Sequence, residues 1–277
     1  MRLARVNDGH RDYWGVVDTA GKTIREIDGD FAEWAPRVTN GAGPSELDFI
    51  GAVRDLEGAT FLPPIEPVNR VIVAGANYSK HLKEFGVGEV SQPIAFLKAY
   101  GALIGANDPI RYPPLTEKLD YEVELVVVIG SDEIDLENPY TSVLGYTVGN
   151  DVSARDLQRS GPKDIGMDLF AAKSQDRTTG LGPWIVTKDE FDPGSPSLNL
   201  KLTVNGEIRQ DGSSGEMTWD VGELIKFVHQ RSSFRAGDIM FTGTPSGVAD
   251  ASGRYLQRGD VVEATVEKIG TLRNIVR

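Results

Sequence analysis

The chain of 277 residues contains no cysteine. That absence excludes disulfides, thiol nucleophiles, iron–sulfur clusters and thiolate zinc sites together, and it fits a reducing cytoplasm. Histidine is nearly as scarce, with three in the whole sequence: His10, His81 and His229. No apolar stretch approaches bilayer-spanning length, and Met1 to Trp14 holds no signal-peptide core. The expectation is a soluble cytoplasmic protein with no membrane partner. Positive charge is the minority, since 29 Lys and Arg against 41 Asp and Glu leave a formal net charge of -12. No Lys/Arg run offers a phosphate backbone a landing face, so nucleic acid is excluded as the expected partner. A chain of this kind still takes anionic small molecules wherever a local cation reverses the field.

What is present is β-type. Short runs rich in branched and aromatic residues recur at Tyr13–Val17, Thr23–Ile27, Val71–Val73, Ile94–Lys98, Glu122–Ile129, Leu144–Val148, Trp184–Thr187, Asn199–Val204, Asp238–Thr242 and Val261–Val266. Asn205-Gly206 marks a hairpin. Helical spacing is expected over Ser45–Leu56, with Ser45 as N-cap, and over Tyr78–Phe85, Ser153–Gln158 and Val221–Gln230. The proline-rich Phe61–Pro67 stretch reads as a linker. The chain therefore divides into a small N-terminal domain, residues 1–66, and a larger domain, residues 67–277. The fold class is mostly β (α+β), with mixed sheet.

The most informative segment is Asp120-Tyr121-Glu122-Val123-Glu124-Leu125-Val126-Val127-Val128-Ile129. On a strand, Tyr121, Val123, Leu125, Val127 and Ile129 share one apolar face. Glu122 and Glu124 share the other with Val126 and Val128, their Cβ atoms roughly 7 Å apart. Two acids on a buried strand face reach solvent, become protonated or share a cation. Asp151 follows the Gly145–Asn150 run, either as an N-cap for the next helix or as a third carboxylate of the same site. A site with three oxygen ligands suits Mg²⁺, Mn²⁺ or Ca²⁺ better than zinc, and leaves positions open for a chelating substrate. His81 and Glu84 share a helix face at i, i+3, as an exposed ion pair or as a base with its orienting acid.

The set Asn77-Tyr78-x-x-His81-x-x-Glu84, Glu122-x-Glu124, Gly149–Gln158, Lys173-Ser174, Gly182-Pro183-Trp184 and Thr242-Gly243-Thr244-Pro245 resembles the fumarylacetoacetate hydrolase family in order and spacing. The likeness runs from about Val71 to the last residue. It implies a roll of mixed β-sheets around the active site and assembly as a homodimer. It implies a divalent cation, commonly Mg²⁺, on Glu122, Glu124 and Asp151. It also implies His81 as general base oriented by Glu84 on a mobile lid, and Lys173 beside a developing enolate. Substrate contacts are expected from Arg155 and Gln158, with Tyr78, Tyr100 and Thr244 as further pocket residues.

Two departures from the family pattern stand out. Lys98-Ala99-Tyr100-Gly101 replaces a common Lys-Pro-x-Ser, and Gln175-Asp176-Arg177 replaces a segment that begins Phe-Asp. Both should reshape the pocket without touching the metal ligands. The activity implied is hydrolysis of a C–C bond in an acylpyruvate or other 1,3-diketo acid. Decarboxylation of a β-keto acid such as oxaloacetate, or isomerisation or hydration of an unsaturated 2-oxo acid in aromatic catabolism, are the enzymatic alternatives. A metal-bound oxo-acid sensor is the non-enzymatic one.

Overall fold

The computed structural model describes residues 1–88 and 90–277. Strands dominate, as the alternating pattern predicts, and they form a mixed sheet. The main sheet has 12 strands, and its central path places Arg2–Asn7 beside Thr179–Thr187, then Val143–Asn150, Val123–Ile129, Ile239–Phe241, Val71–Gly75 and finally Ile94–Lys98 at one edge. Most neighbours are antiparallel, but Ile239–Phe241 runs parallel to Val71–Gly75. A second sheet of five strands carries the Asn199–Val204 and Glu207–Ser213 hairpin, turned by Asn205-Gly206 as expected. Among the described residues no helix is long and apolar enough to cross a membrane.

The two faces of the central strand are buried against different partners, which explains its apolar run. Tyr121, Val123, Leu125, Val127 and Ile129 join one core with Leu200, Leu202, Val262 and Ala264 of the second sheet. Val126 and Val128 join another with Phe241, Val73, Trp34 and Val38. A strand covered on both sides reads as continuous hydrophobicity rather than alternation. The division into faces inferred from alternation holds for every residue named.

Three expectations need correcting. Ser45–Leu56 is not helical: a short 3₁₀ turn, Pro44–Glu46, leads into the strand Phe49–Asp55, paired to Thr23–Ile27. Phe49, Ile50 and Val53 favour strand, and edge pairing outweighs the weak helical spacing. Phe61–Pro67 is not a free linker. Phe61 pairs with Val6, and Pro63, Pro64 and Ile65 are buried. The third is an omission, the helix Phe31–Thr39, whose interior Pro36 hides it from periodicity. It starts where the Glu33 carboxylate accepts from the Asp30 N–H (3.0 Å), and it buries Trp34 and Val38 on the sheet. Arg2–Asn7 and Thr179–Thr187 pair through Leu3 and Ile185, so residues 1–66 and the rest of the chain share one continuous sheet.

Gly145 sits where strands approach too closely for a side chain, because a Cβ there would lie 2.2 Å from the Val186 carbonyl oxygen. Backbone must move to relieve that contact. Gly145→Ala is therefore expected to lower unfolding free energy by about 1–3 kcal/mol, read by urea denaturation; an unchanged midpoint would mean that the approach is looser than described.

Candidate active site

The site follows from strand register. Val123 pairs with Asn150, so the residues just beyond, Glu122 and Asp151, face each other as the strands end. The Asp151 N–H donates to the Glu122 carbonyl (2.8 Å) and the Glu122 N–H to Asn150 Oδ1 (3.0 Å), fixing both backbones. Glu124 is two residues further in, opposite Gly149. Carboxylate oxygens of Glu122, Glu124 and Asp151 all lie within 4.8 Å of one another, and all three residues are buried. Of the roles open to Asp151 from sequence, the N-cap is not observed, since Ala154 occupies that position before the helix Arg155–Gln158.

Buried carboxylates need cations, and the chain supplies three. Lys173, at the end of the helix Leu169–Lys173, donates to Glu122 Oε2 (2.5 Å) and Asp151 Oδ2 (2.6 Å). Lys98 ends the edge strand fully buried, ion-paired with Asp151 Oδ1 and donating to Thr179 Oγ1 (2.6 Å). Arg155 donates from Nε to Asp120 Oδ2 (2.7 Å), from Nη2 to Glu122 Oε1, and from Nη1 to Gln158 Oε1 (3.1 Å). Asp120 in turn accepts from the N–H groups of Ala249 (2.6 Å) and Asp250 (3.1 Å), tying Arg155 to that loop.

Four carboxylates thus face three cations, and Glu124 has no cation of its own. Among the described residues it accepts only from the Gly243 N–H (2.7 Å). Burial, and then the charges of Asp151 and Glu122, push its carboxyl well above the ordinary range. Glu122 goes the other way. Burial opposes its charge, but Lys173 and then Arg155 outweigh burial and hold it at about 2. Burial pulls the Lys98 ammonium down. For Lys173 burial also lowers, but Asp151 and Glu122 prevail and raise it. The surplus negative charge, centred on three hard oxygen donors, fits a divalent cation, which would relieve the repulsion now carried by Glu124.

The Thr242–Gly247 turn gathers the remaining groups. Gly243 holds a φ of 94°, a left-handed conformation that favours glycine, and so aims its N–H at Glu124. Thr244 Oγ1 donates to the Val123 carbonyl (2.8 Å) and accepts from Gln210 (2.8 Å). The Gly247 N–H donates to Glu84 Oε1 (2.8 Å), while Glu84 Oε2 meets His81 Nδ1 at 3.2 Å. His81 and Glu84 lie on the helix Ser79–Glu84, which ends with Gly86 at a φ of 68°, as expected for a helix-terminal glycine. With Nδ1 turned to Glu84, Nε2 is the ring nitrogen left to take a proton.

These groups border a cleft of about 100 Å³. His81, Glu122, Glu124, Asp151, Arg155, Gln158, Lys173 and Thr244 all line it, together with an apolar wall of Val73, Ile94, Phe96 and Leu169. Three expected residues are not in the lining: Tyr100, Tyr78 and Glu84, which stands behind His81. The Tyr100 hydroxyl accepts from Arg5 Nη1 (3.3 Å), where the N-terminal strands meet the larger domain. Tyr78 is buried beside Glu124, and burial pushes its phenol far up. Lys98 and Asp120 escaped the sequence reading. Lys98 closes an apolar strand like any edge residue, and Asp120 precedes the motif; only the fold reveals their partners.

Removing Lys173 tests the charge balance directly. Lys173→Met leaves Glu122 and Asp151 short of a cation, which should cost about 3–5 kcal/mol of stability in EDTA. Millimolar Mn²⁺ should restore much of it. Equal stability of the variant and the parent in EDTA would refute the balance.

The family model for fumarylacetoacetate (FAA) hydrolase, C-terminal, matches residues 70–277, and the Rv2993c-like, N-terminal model matches residues 1–64. Protein Rv2993c of Mycobacterium tuberculosis is 37% identical over 267 residues, covering 94% of this chain and 96% of its own. The crystal structure of 5-carboxymethyl-2-hydroxymuconate delta-isomerase from Mycobacterium smegmatis superposes with a TM-score of 0.81 at 34% identity, covering 100% of this chain and 99% of that one. Fumarylpyruvate hydrolase from Pseudomonas aeruginosa, in complex with Mn²⁺ and pyruvate, gives a TM-score of 0.68 at 31% identity over 78% of this chain and 91% of that one. On the match to residues 70–277 and these relatives, the chain belongs to the fumarylacetoacetate hydrolase family.

Proposed function

We propose that the chain is a divalent-metal-dependent hydrolase that cleaves a C–C bond in an acylpyruvate or other 1,3-diketo acid. The observation that carries the reading is His81 in the wall of the cleft that holds the three carboxylates, with Glu84 against its Nδ1. A base with its orienting acid is what activation of water requires, and an isomerase or decarboxylase needs no such nucleophile. The likeness to a fumarylpyruvate hydrolase that binds Mn²⁺ and pyruvate supports the same chemistry.

A cation on Glu122, Glu124 and Asp151, for which Mg²⁺ is proposed, would supply Lewis acidity toward the substrate's oxo and carboxylate oxygens. His81 Nε2 takes a proton as water attacks the acyl carbonyl carbon. The C–C bond then breaks, and its electron pair passes to the pyruvyl fragment as an enolate. Lys173 stabilises the enolate oxygen, and protonation at carbon gives a carboxylic acid and a 2-oxo acid. Arg155 and Gln158, already joined to each other, orient the substrate's carboxylate. A homodimer is proposed as the assembly, supported by Ile94 and Leu97, exposed on the edge strand.

The cleft volume favours a second reading. About 100 Å³ is well below the ordinary range for ligand pockets, and it suits a β-keto acid of few atoms undergoing decarboxylation. The two separate on one variant. With Mg²⁺ or Mn²⁺ and a panel of acylpyruvates and oxaloacetate, His81→Ala should lose C–C hydrolysis by about 100-fold or more while keeping its Mn²⁺ affinity. Undiminished hydrolysis removes the water-activating role. Turnover of oxaloacetate alone selects the decarboxylase, and no turnover across the panel selects a non-catalytic sensor.

A further inference from the structure

Away from the cleft, and sharing no lining residue with it, lies an open depression of about 510 Å³ walled by Arg111, Arg177, Arg258 and Arg277 with Tyr112 and two prolines. Four arginines line it in a chain whose net charge is -12. An acid-rich surface that served only solubility would interleave carboxylates among them. Asp108 approaches one, 3.8 Å from Arg177. Among the described residues Arg111, Arg258 and Arg277 form no ion pair.

The arginines come from four separate segments, and their backbones are pinned. The Arg111 N–H donates to the Arg177 carbonyl (2.9 Å), the Tyr112 N–H to the Arg277 carbonyl (2.7 Å) and the Arg277 N–H to the Ile110 carbonyl (2.8 Å). Arg258 lies over the Tyr112 ring, 5.1 Å from its centroid, and donates to the Tyr112 carbonyl (3.4 Å). Arg177 also keeps a φ of 56°, which a residue with a Cβ seldom adopts. Strain of this kind persists where the surroundings hold a side chain in a required place. Arg177 closes the Gln175-Asp176-Arg177 segment, whose composition the cleft chemistry does not explain.

We propose that this depression is a second binding site, for a compact polyanion carrying two or more phosphoryl or carboxylate groups. Forked guanidinium donors match both groups, and Arg258, already laid against Tyr112, loses less freedom on binding than a loose side chain would. Concavity and an acidic overall field favour a small ligand over an extended polyanion, which the rest of the surface repels.

Isothermal titration calorimetry of the full chain with pyrophosphate, citrate and sulfate tests the site. Pyrophosphate or citrate should bind at on the order of 1 mM or tighter, and sulfate more weakly. The R111A/R258A variant should weaken binding about tenfold or more, since hydrogen bonds to charged groups are lost. R111K/R258K keeps the charge but loses the forks, and should fall between the two. Stronger binding of pyrophosphate identifies a phosphoryl ligand, and stronger binding of citrate a carboxylate one. The proposal is overturned if the parent chain binds neither more tightly than sulfate, or if both variants bind as the parent does.

Discussion

Everything in the active cleft depends on a charge imbalance taken out of water. Asp120, Glu122, Glu124 and Asp151 are buried against Lys98, Lys173 and Arg155, and Glu124 is the member without a cation. Replacing such a network with apolar side chains would often be no worse for stability. Its presence therefore speaks for function. Glu122 stays ionised at about 2, whereas Glu124 resists ionisation, because the same burial is offset in one case and reinforced in the other. With a divalent ion bound and Glu124 ionised beside it, four carboxylates would face three cations and the ion, leaving one surplus positive charge. That reversal lets a chain with a net charge of -12 receive an anionic oxo-acid.

Much of this was legible from residue order. Alternation along Tyr121–Ile129 separated the two faces of the strand, and the cores confirm each assignment. The same alternation put Glu122 and Glu124 together. Motif spacing brought Asp151, His81, Arg155, Gln158, Lys173 and Thr244 to one cleft before any coordinates did. What stayed hidden depends on partners distant in sequence. Lys98 pairs with Asp151 only because the Ile94–Lys98 edge strand ends beside it, 53 positions earlier by residue number. Tyr100 fails to reach the cleft because Arg5, from the first strand, holds its hydroxyl. Ser45–Leu56 misleads because short apolar runs carry little information about period until a neighbour pairs with them.

The Thr242–Gly247 turn shows how one short loop serves two chemical tasks. Gly243 supplies a donor to the Glu124 carboxyl, and Gly247 supplies a donor to the acid behind the imidazole. Loop backbone is suited to this work, because its N–H groups are not consumed by a ladder. The helix Ser79–Glu84 is thereby fastened at the cleft mouth through Glu84, with Lys80 paired to Glu216 as a second attachment.

The continuous sheet has a further consequence. Strand Arg2–Asn7 pairs with the Ile185–Val186 end of Thr179–Thr187, a strand buried nearly throughout. Deprived of residues 1–66, that end of the strand would offer unsatisfied N–H and C=O groups and an apolar surface to any other chain with a free edge. Such a surface templates intermolecular β-pairing. The N-terminal segment is thus a built-in guard against aggregation, whatever else it contributes.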